Sequence, residues 1–295
     1  MLINTLKYLR IGNISLVVLV FLSVQYALLP YLGKTSLLSF GDTLLIIFSL
    51  ACITTFGNLQ NDAKDKITDK INRPNKSVFY QQNVYFIQPK FYWTLGVFGV
   101  ALGFFVSFKN AAFLGASIFL LAILCLHSYN VLFKKILLLG NIIVSFLVGL
   151  IVLLPLFFLE ADIFFYESNP IVWTYFFVCF FINLQREIIK DIQDRRGDHK
   201  IQAKTFVLVV GIERTKKLLL VLQSIGVLSM ILLYFLFFPK SVAGFIYLFI
   251  LCTIYLFVLF ETQRKTSTIN WSKISSYYKL LLLMGSLSIV GFYFS

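Results

Sequence analysis

Asn61-Asp62-Ala63-Lys64-Asp65-Lys66-Ile67-Thr68-Asp69 sets three aspartates at positions 0, 3 and 7 of a charged stretch that follows a long apolar run. Asp191-Ile192-Gln193-Asp194-Arg195-Arg196-Gly197-Asp198 repeats the spacing after another apolar run, four apolar segments further along. On a helix turning about 100° per residue these positions fall within roughly 60° of one another over about 10 Å, so each triplet lines one face. Six carboxylates close to a bilayer repel one another and push their pKa values up unless cations neutralise them. Hard oxygen ligands favour magnesium, which binds through a few carboxylates plus substrate phosphates. Two facing stripes therefore suit a diphosphate bridged by magnesium, about two ions in number. Neither stripe has the Gly-containing loop and terminal Glu of an EF-hand, and no Gly-rich phosphate loop for a nucleoside triphosphate is present.

The rest of the chain says where this chemistry sits. Of 295 residues 59% are hydrophobic, 33 are Phe, and mean hydropathy is +0.86, which excludes a soluble domain. Apolar segments at 11–32, 41–58, 91–107, 111–133, 136–159, 170–186, 216–238, 242–260 and 277–294 are long enough to cross about 30 Å of hydrocarbon. The reading is an all-α membrane protein, a bundle of nine transmembrane helices forming a single domain over residues 1–295. The recurring Asp spacing suggests parallel four-helix units around 41–159 and 170–294.

With the N-terminus in the cytoplasm, every Lys and Arg except Lys34, Lys109 and Lys240 falls on the cytoplasmic side. The outward loop after segment five carries Glu160, Asp162 and Glu167 instead. This bias is what the positive-inside rule expects, and it puts both Asp loops in the cytoplasm, with a bacterial-type cytoplasmic membrane as the expected location. The net charge of +13 thus belongs to basic loops, and nucleic acid is discounted as a partner. Cys52, Cys125, Cys179 and Cys252 lie in apolar stretches and read as small hydrophobes. Nothing calls for an obligatory protein partner.

Cations interleave each stripe, Lys64, Lys66, Lys70, Arg73 and Lys76 at the first and Lys190, Arg195, Arg196, Lys200 and Lys204 at the second. Such groups stabilise the negative charge that grows on diphosphate as a carbon–oxygen bond breaks. Phe and Tyr rings are expected around the carbocation left behind. Of the two histidines, His127 reads as a hydrogen-bonded residue at the bundle end and His199 as a loop residue.

Asn61, Asp62, Asp65 and Asp69, followed by Asn72-Arg73-Pro74, resemble the signature of the UbiA superfamily of intramembrane prenyltransferases. Asp194 and Asp198, with Asp191 a turn earlier, resemble its second motif; Tyr129, Lys134, Gly140-Asn141, Arg10 and Asn13 also match, so the resemblance covers nearly the whole chain. It implies a central cavity with cytoplasmic cap loops and magnesium-dependent transfer of a prenyl group from a prenyl diphosphate to a lipophilic acceptor. The expected metal ligands are Asp62, Asp65, Asp69, Asp191, Asp194 and Asp198, with Asn61 beside them. Arg73, Lys134 and Lys190 are expected to hold the diphosphate. By resemblance, Tyr129 lies near the ionising allylic carbon, and Arg10 and Asn13 approach acceptor or diphosphate.

The stretch 186–198 looks most like the branch that prenylates geranylgeranylglyceryl phosphate, with the branch acting on aromatic acids such as 4-hydroxybenzoate or a naphthoate as competitor. After Asp198 the chain lacks the family's usual Gly and Pro, reading Ile201-Gln202-Ala203-Lys204-Thr205-Phe206-Val207. This cap loop is where acceptor choice is expected. A transporter is the rival of another class, but it calls for ionisable groups at the midplane, whereas the acids here sit at the edges, most of them cytoplasmic.

Overall fold

The computed structural model describes residues 9–159, 170–237 and 242–291. Lys7, Lys240 and the acidic loop with Glu160, Asp162 and Glu167 lie outside the described residues. Among the described residues all regular structure is helical. The long helices are α1 (Ile11–Tyr31), α2 (Phe40–Lys64), α5 (Pro89–Lys109), α6 (Phe113–Val131), α7 (Leu139–Leu153, extended by a tighter turn to Phe158), α8 (Pro170–Lys200), α10 (Ile212–Phe237), α11 (Val242–Gln263) and α12 (Trp271–Gly291). Short helices α3 (Lys66–Asn72), α4 (Pro74–Gln82) and α9 (Phe206–Val210) lie between them.

Eight helices among the described residues are long and apolar enough to cross a membrane. The segment expected at 170–186 opens α8 but is not among those eight, because its apolar run ends early at Arg186 and Glu187. At 31 residues α8 is about 46 Å long, well beyond the hydrocarbon thickness, and its second half leaves the apolar run. That half carries Asp191, Asp194 and Asp198 on one continuous helix, as the spacing predicts. The first triplet differs. Helix α2 stops at Lys64, Asp65 occupies a turn (φ −86°, ψ 11°), and Asp69 belongs to α3, so the stripe is bent at its middle residue.

Packing follows from residues of small size or matched polarity. Helix α2 lies against α5, where a Cβ on Gly99 would come within 3.0 Å of the Ser49 carbonyl oxygen; the glycine lets the backbones meet, and Ser49 Oγ donates to Gly99 O at 2.6 Å. Helix α8 packs on α7 and α12, and its charged half packs on α3. The phenylalanines do something other than expected. Phe48, Phe98, Phe105, Phe249 and Phe260 are all exposed on the bundle exterior, where acyl chains are their natural neighbours.

Candidate active site

A cavity of about 860 Å³ opens between α1, α2, α6, α7, α8 and α12 beneath the connection from α3 to α4. One part is polar, lined by Asn61, Asp65, Arg73, Lys134, Asp191, Asp194 and Asp198; the other is aliphatic, with Val17, Ile53, Leu147, Val148, Ile151 and Leu154 among its walls. Phe119 and Tyr129 are the aromatic residues lining it, so the aromatic enclosure expected from composition is instead mainly aliphatic.

Cross-links between the two Asp regions close the polar end. Arg73 donates from one guanidinium nitrogen to both carboxylate oxygens of Asp194, at 2.8 and 2.6 Å. Asn72 donates to the Asp194 carbonyl oxygen at 2.9 Å and accepts from the Gly197 amide at 3.1 Å, stitching α3 to α8. Lys134 pairs with Asp65, and Asn141 donates to Asp191 at 2.9 Å.

Asp62 does not line the cavity. Its fully buried side chain receives Arg10 at 2.5 Å, Lys76 at 2.5 Å and the Tyr80 hydroxyl at 2.5 Å. Asp69 stands one side chain back as well, with Lys76 at 2.7 Å on one oxygen and Arg73 at 3.6 Å from the other. Arg10 reaches both Asp62 and Asn61 from a left-handed backbone conformation (φ 57°) at the head of α1, a strained geometry retained where the side chain is tied down. Among the described residues no three carboxylate, His or Cys groups stand close enough together to hold a metal ion. In this arrangement Asp62, Asp65, Asp69 and Asp194 are drawn instead to Lys and Arg side chains.

The electrostatics still call for added positive charge. Burial, opposed by Asn141 and reinforced by Glu187 and Asp198, pushes Asp191 up to about 7. Burial, opposed by Lys134 and reinforced by Asp194 and Asp65, pushes Asp198 up to about 6. Asp69 is raised too, chiefly by burial. Burial works against the charge of Lys134, yet Asp65, Asp194 and Asp198 hold its pKa above the ordinary lysine value. Lys190 is pushed down to about 7 by burial and Arg186, against the pull of Glu187.

Of the residues expected from sequence, the structure gathers Arg10, Asn13, Asn61, Asp65, Arg73, Tyr129, Lys134, Lys190, Asp191, Asp194 and Asp198 around one cavity. Asp62 and Asp69 fall behind its wall. No residue of 199–207 lines it, although that loop stays beside it, the Lys204 amide donating to the Lys135 carbonyl oxygen at 2.9 Å; His199 lies in the last turn of α8 rather than in a loop. His127 is hydrogen-bonded to Gln60 at 2.9 Å, as read. Sequence reasoning missed Ser275, Ser276 and Lys279 as cavity residues. Their signal was a polar face, 272, 275, 276 and 279, at helical spacing on the last span.

A cavity with one acid- and cation-lined end and one aliphatic arm, inside a bundle of membrane-length helices, defines an intramembrane enzyme acting on an amphiphilic anion. The chain belongs to the UbiA prenyltransferase family, whose sequence model matches residues 16–283. It is an integral membrane prenyltransferase. It is 29% identical over 250 residues to the digeranylgeranylglyceryl phosphate synthase of Methanosphaera stadtmanae, covering 82% of this chain and 86% of that protein. To the enzyme of the same name from Thermococcus sibiricus it is 33% identical over 190 residues, covering 63% of this chain and 60% of that one. Its fold matches a solved structure of digeranylgeranylglyceryl phosphate synthase with TM-score 0.67 at 21% identity, covering 98% of each chain. A UbiA homolog from Archaeoglobus fulgidus bound to GPP and Mg2+ matches with TM-score 0.66 at 17% identity, covering 97% and 99%.

Proposed function

We propose that this prenyltransferase moves a prenyl group from a prenyl diphosphate to a glyceryl-ether phosphate lipid of the geranylgeranylglyceryl phosphate type, at the cytoplasmic edge of the membrane. The observation that carries this reading is the two-part cavity, in which Arg73 pairs with Asp194 and Lys134 with Asp65 at the head of an aliphatic arm. The relatives named above, and the ligands of the A. fulgidus homolog, support it.

Asp65, Asp191, Asp194 and Asp198 present hard oxygen donors to the cavity, and the raised pKa values of Asp191 and Asp198 mark charge that a divalent cation would neutralise. The donor set therefore fits magnesium, which Asp65, Asp191, Asp194 and Asp198 would hold. Magnesium, when bound, supplies positive charge to the diphosphate oxygens, and two ions match the number of Asp regions. Arg73, Lys134 and Lys190 face the same oxygens, with Arg10, Asn13 and Asn61 bordering them. The bond between the prenyl C1 and diphosphate oxygen breaks, and its electron pair leaves with diphosphate. The developing charge is met by groups already in place. Tyr129 stands beside the polar end as C1 ionises, and the acceptor hydroxyl oxygen forms the new bond to C1 as its proton passes to water or to released diphosphate. The aliphatic arm receives the prenyl chain and keeps water from the cation.

Asp194→Asn, assayed in purified protein with magnesium and labelled geranylgeranyl diphosphate, should lower kcat on the order of hundredfold. Undiminished transfer by Asp194→Asn would sink the proposed clamp.

A further inference from the structure

The wall of the cavity formed by α8 and α12 is cationic in its own right. Ser272, Ser275, Ser276 and Lys279 occupy positions 0, 3, 4 and 7 of α12, one helical face, and all four line the cavity. Arg186 of α8 lines it too, and Lys279 lies within electrostatic reach of Arg186, Arg10 and Glu187.

Charge on this wall does not balance. Arg10 is engaged by Asp62 at 2.5 Å, and Lys190 by Glu187 at 2.5 Å. Arg186, whose side chain is 9% exposed, shares that same Glu187 oxygen at 3.1 Å, and its buried Nε has no partner. Among the described residues no carboxylate pairs with Lys279. Asp191, the next acid along α8, is turned to Asn141. Glu187 is thus shared by Arg186 and Lys190, and Lys279 beside them has no carboxylate, so this wall presents surplus positive charge to the cavity. Buried unpaired charge is costly, and it is retained where a ligand supplies the partner.

The surplus charge of Arg186 and Lys279, three cations with Lys190 against the one carboxylate of Glu187, suits a phosphomonoester, which carries about −1.5 to −2 near pH 7, better than an aromatic carboxylate at −1. We propose that Arg186 and Lys279, with the hydroxyls of Ser275 and Ser276, form an acceptor-phosphate site separate from the Asp-lined diphosphate site. This rests on the prenyl-transfer reading above. It moves acceptor choice from the loop after Asp198 to the first three turns of α12.

The test compares wild type, Lys279→Met and Lys279→Arg in membranes or detergent. Each is given geranylgeranyl diphosphate with a glyceryl-ether phosphate, its dephosphorylated alcohol, or 4-hydroxybenzoate. The expected result is that Lys279→Met raises KM for the phosphorylated acceptor about tenfold or more, while KM for the prenyl diphosphate stays within about twofold. Lys279→Arg should restore most of the loss, and the alcohol should be insensitive to either change. If wild type uses the ether phosphate and Lys279→Met leaves its KM unchanged, the site is wrong while the function stands. If wild type prenylates 4-hydroxybenzoate and not the ether phosphate, both fall. Should Lys279→Met not fold, glycerol phosphate inhibition of wild type decides: competition with the lipid acceptor supports the site, and competition only with the prenyl diphosphate overturns it.

Discussion

Asp62 and Asp194 are the same residue type in two triplets of equal spacing, yet the structure gives them different work. Asp194 faces the cavity through Arg73, whereas Asp62 is sealed behind it among Arg10, Lys76 and Tyr80. Removing one member of a buried ionic group strands the others, at a cost of about 3–5 kcal/mol. Asp62→Asn should therefore lower the melting temperature of purified protein by several degrees, and Asp194→Asn should lower turnover with little thermal shift. Equal thermal stability of Asp62→Asn and wild type would contradict this division. Spacing alone makes the two triplets look alike. What it does not show is Tyr80 and Lys76, brought back over Asp62 by α4, a contact that depends on the bend at Asp65.

At the scale of elements, the cap depends on α3 lying close against the charged half of α8. Asn72 and Gly197 make that contact, and Gly197 is there because of its size. A Cβ on residue 197 would stand 2.5 Å from Asn72 Nδ2 and 3.0 Å from the Thr68 Cα, so the α3 backbone must retreat. Gly197→Ala should loosen the Asn72 and Arg73 bridges to Asp194, costing about 1–3 kcal/mol, and should raise KM for the prenyl diphosphate. Gly285→Ala, where an added Cβ meets nothing within 4 Å, is the matched control and should be neutral in both thermal and kinetic assays. The long helices were legible from apolar length because lipid demands that length, and the placement of Asp191, Asp194 and Asp198 on one face followed from period alone. The bent first triplet was not legible, since the break at Asp65 has no Pro or Gly to announce it. Nor was the polar face of α12, whose serines are as compatible with helix packing as with a ligand.

For the molecule as a whole, the polar end of the cavity is a store of ionisation free energy. Asp198 and Asp191 have pKa values pushed to about 6 and about 7, above the value near 3.9 of an unfolded aspartate. Groups shifted in this direction contribute stability at low pH that is lost as pH rises through 6 to 7, because the folded state then holds charges it disfavours. Magnesium held by the ionised pair, as proposed, would offset that loss. The thermal shift caused by magnesium should accordingly be small at pH 5 and grow between pH 6 and 8; a shift independent of pH would remove Asp191 and Asp198 from the metal site. The same cavity joins this charged end to an aliphatic arm and to the cationic wall of α12, which gives the proposed donor and the proposed acceptor a place each.

The most direct measurement is the mass of the product formed by purified wild-type protein with magnesium, geranylgeranyl diphosphate and an equimolar mixture of glyceryl-ether phosphate, 4-hydroxybenzoate and a naphthoate. The predicted result is one main product, the ether phosphate enlarged by a single geranylgeranyl group, lost on chelation of the metal. A prenylated aromatic acid as main product, or hydrolysis of the diphosphate with no acceptor consumed, would contradict the account.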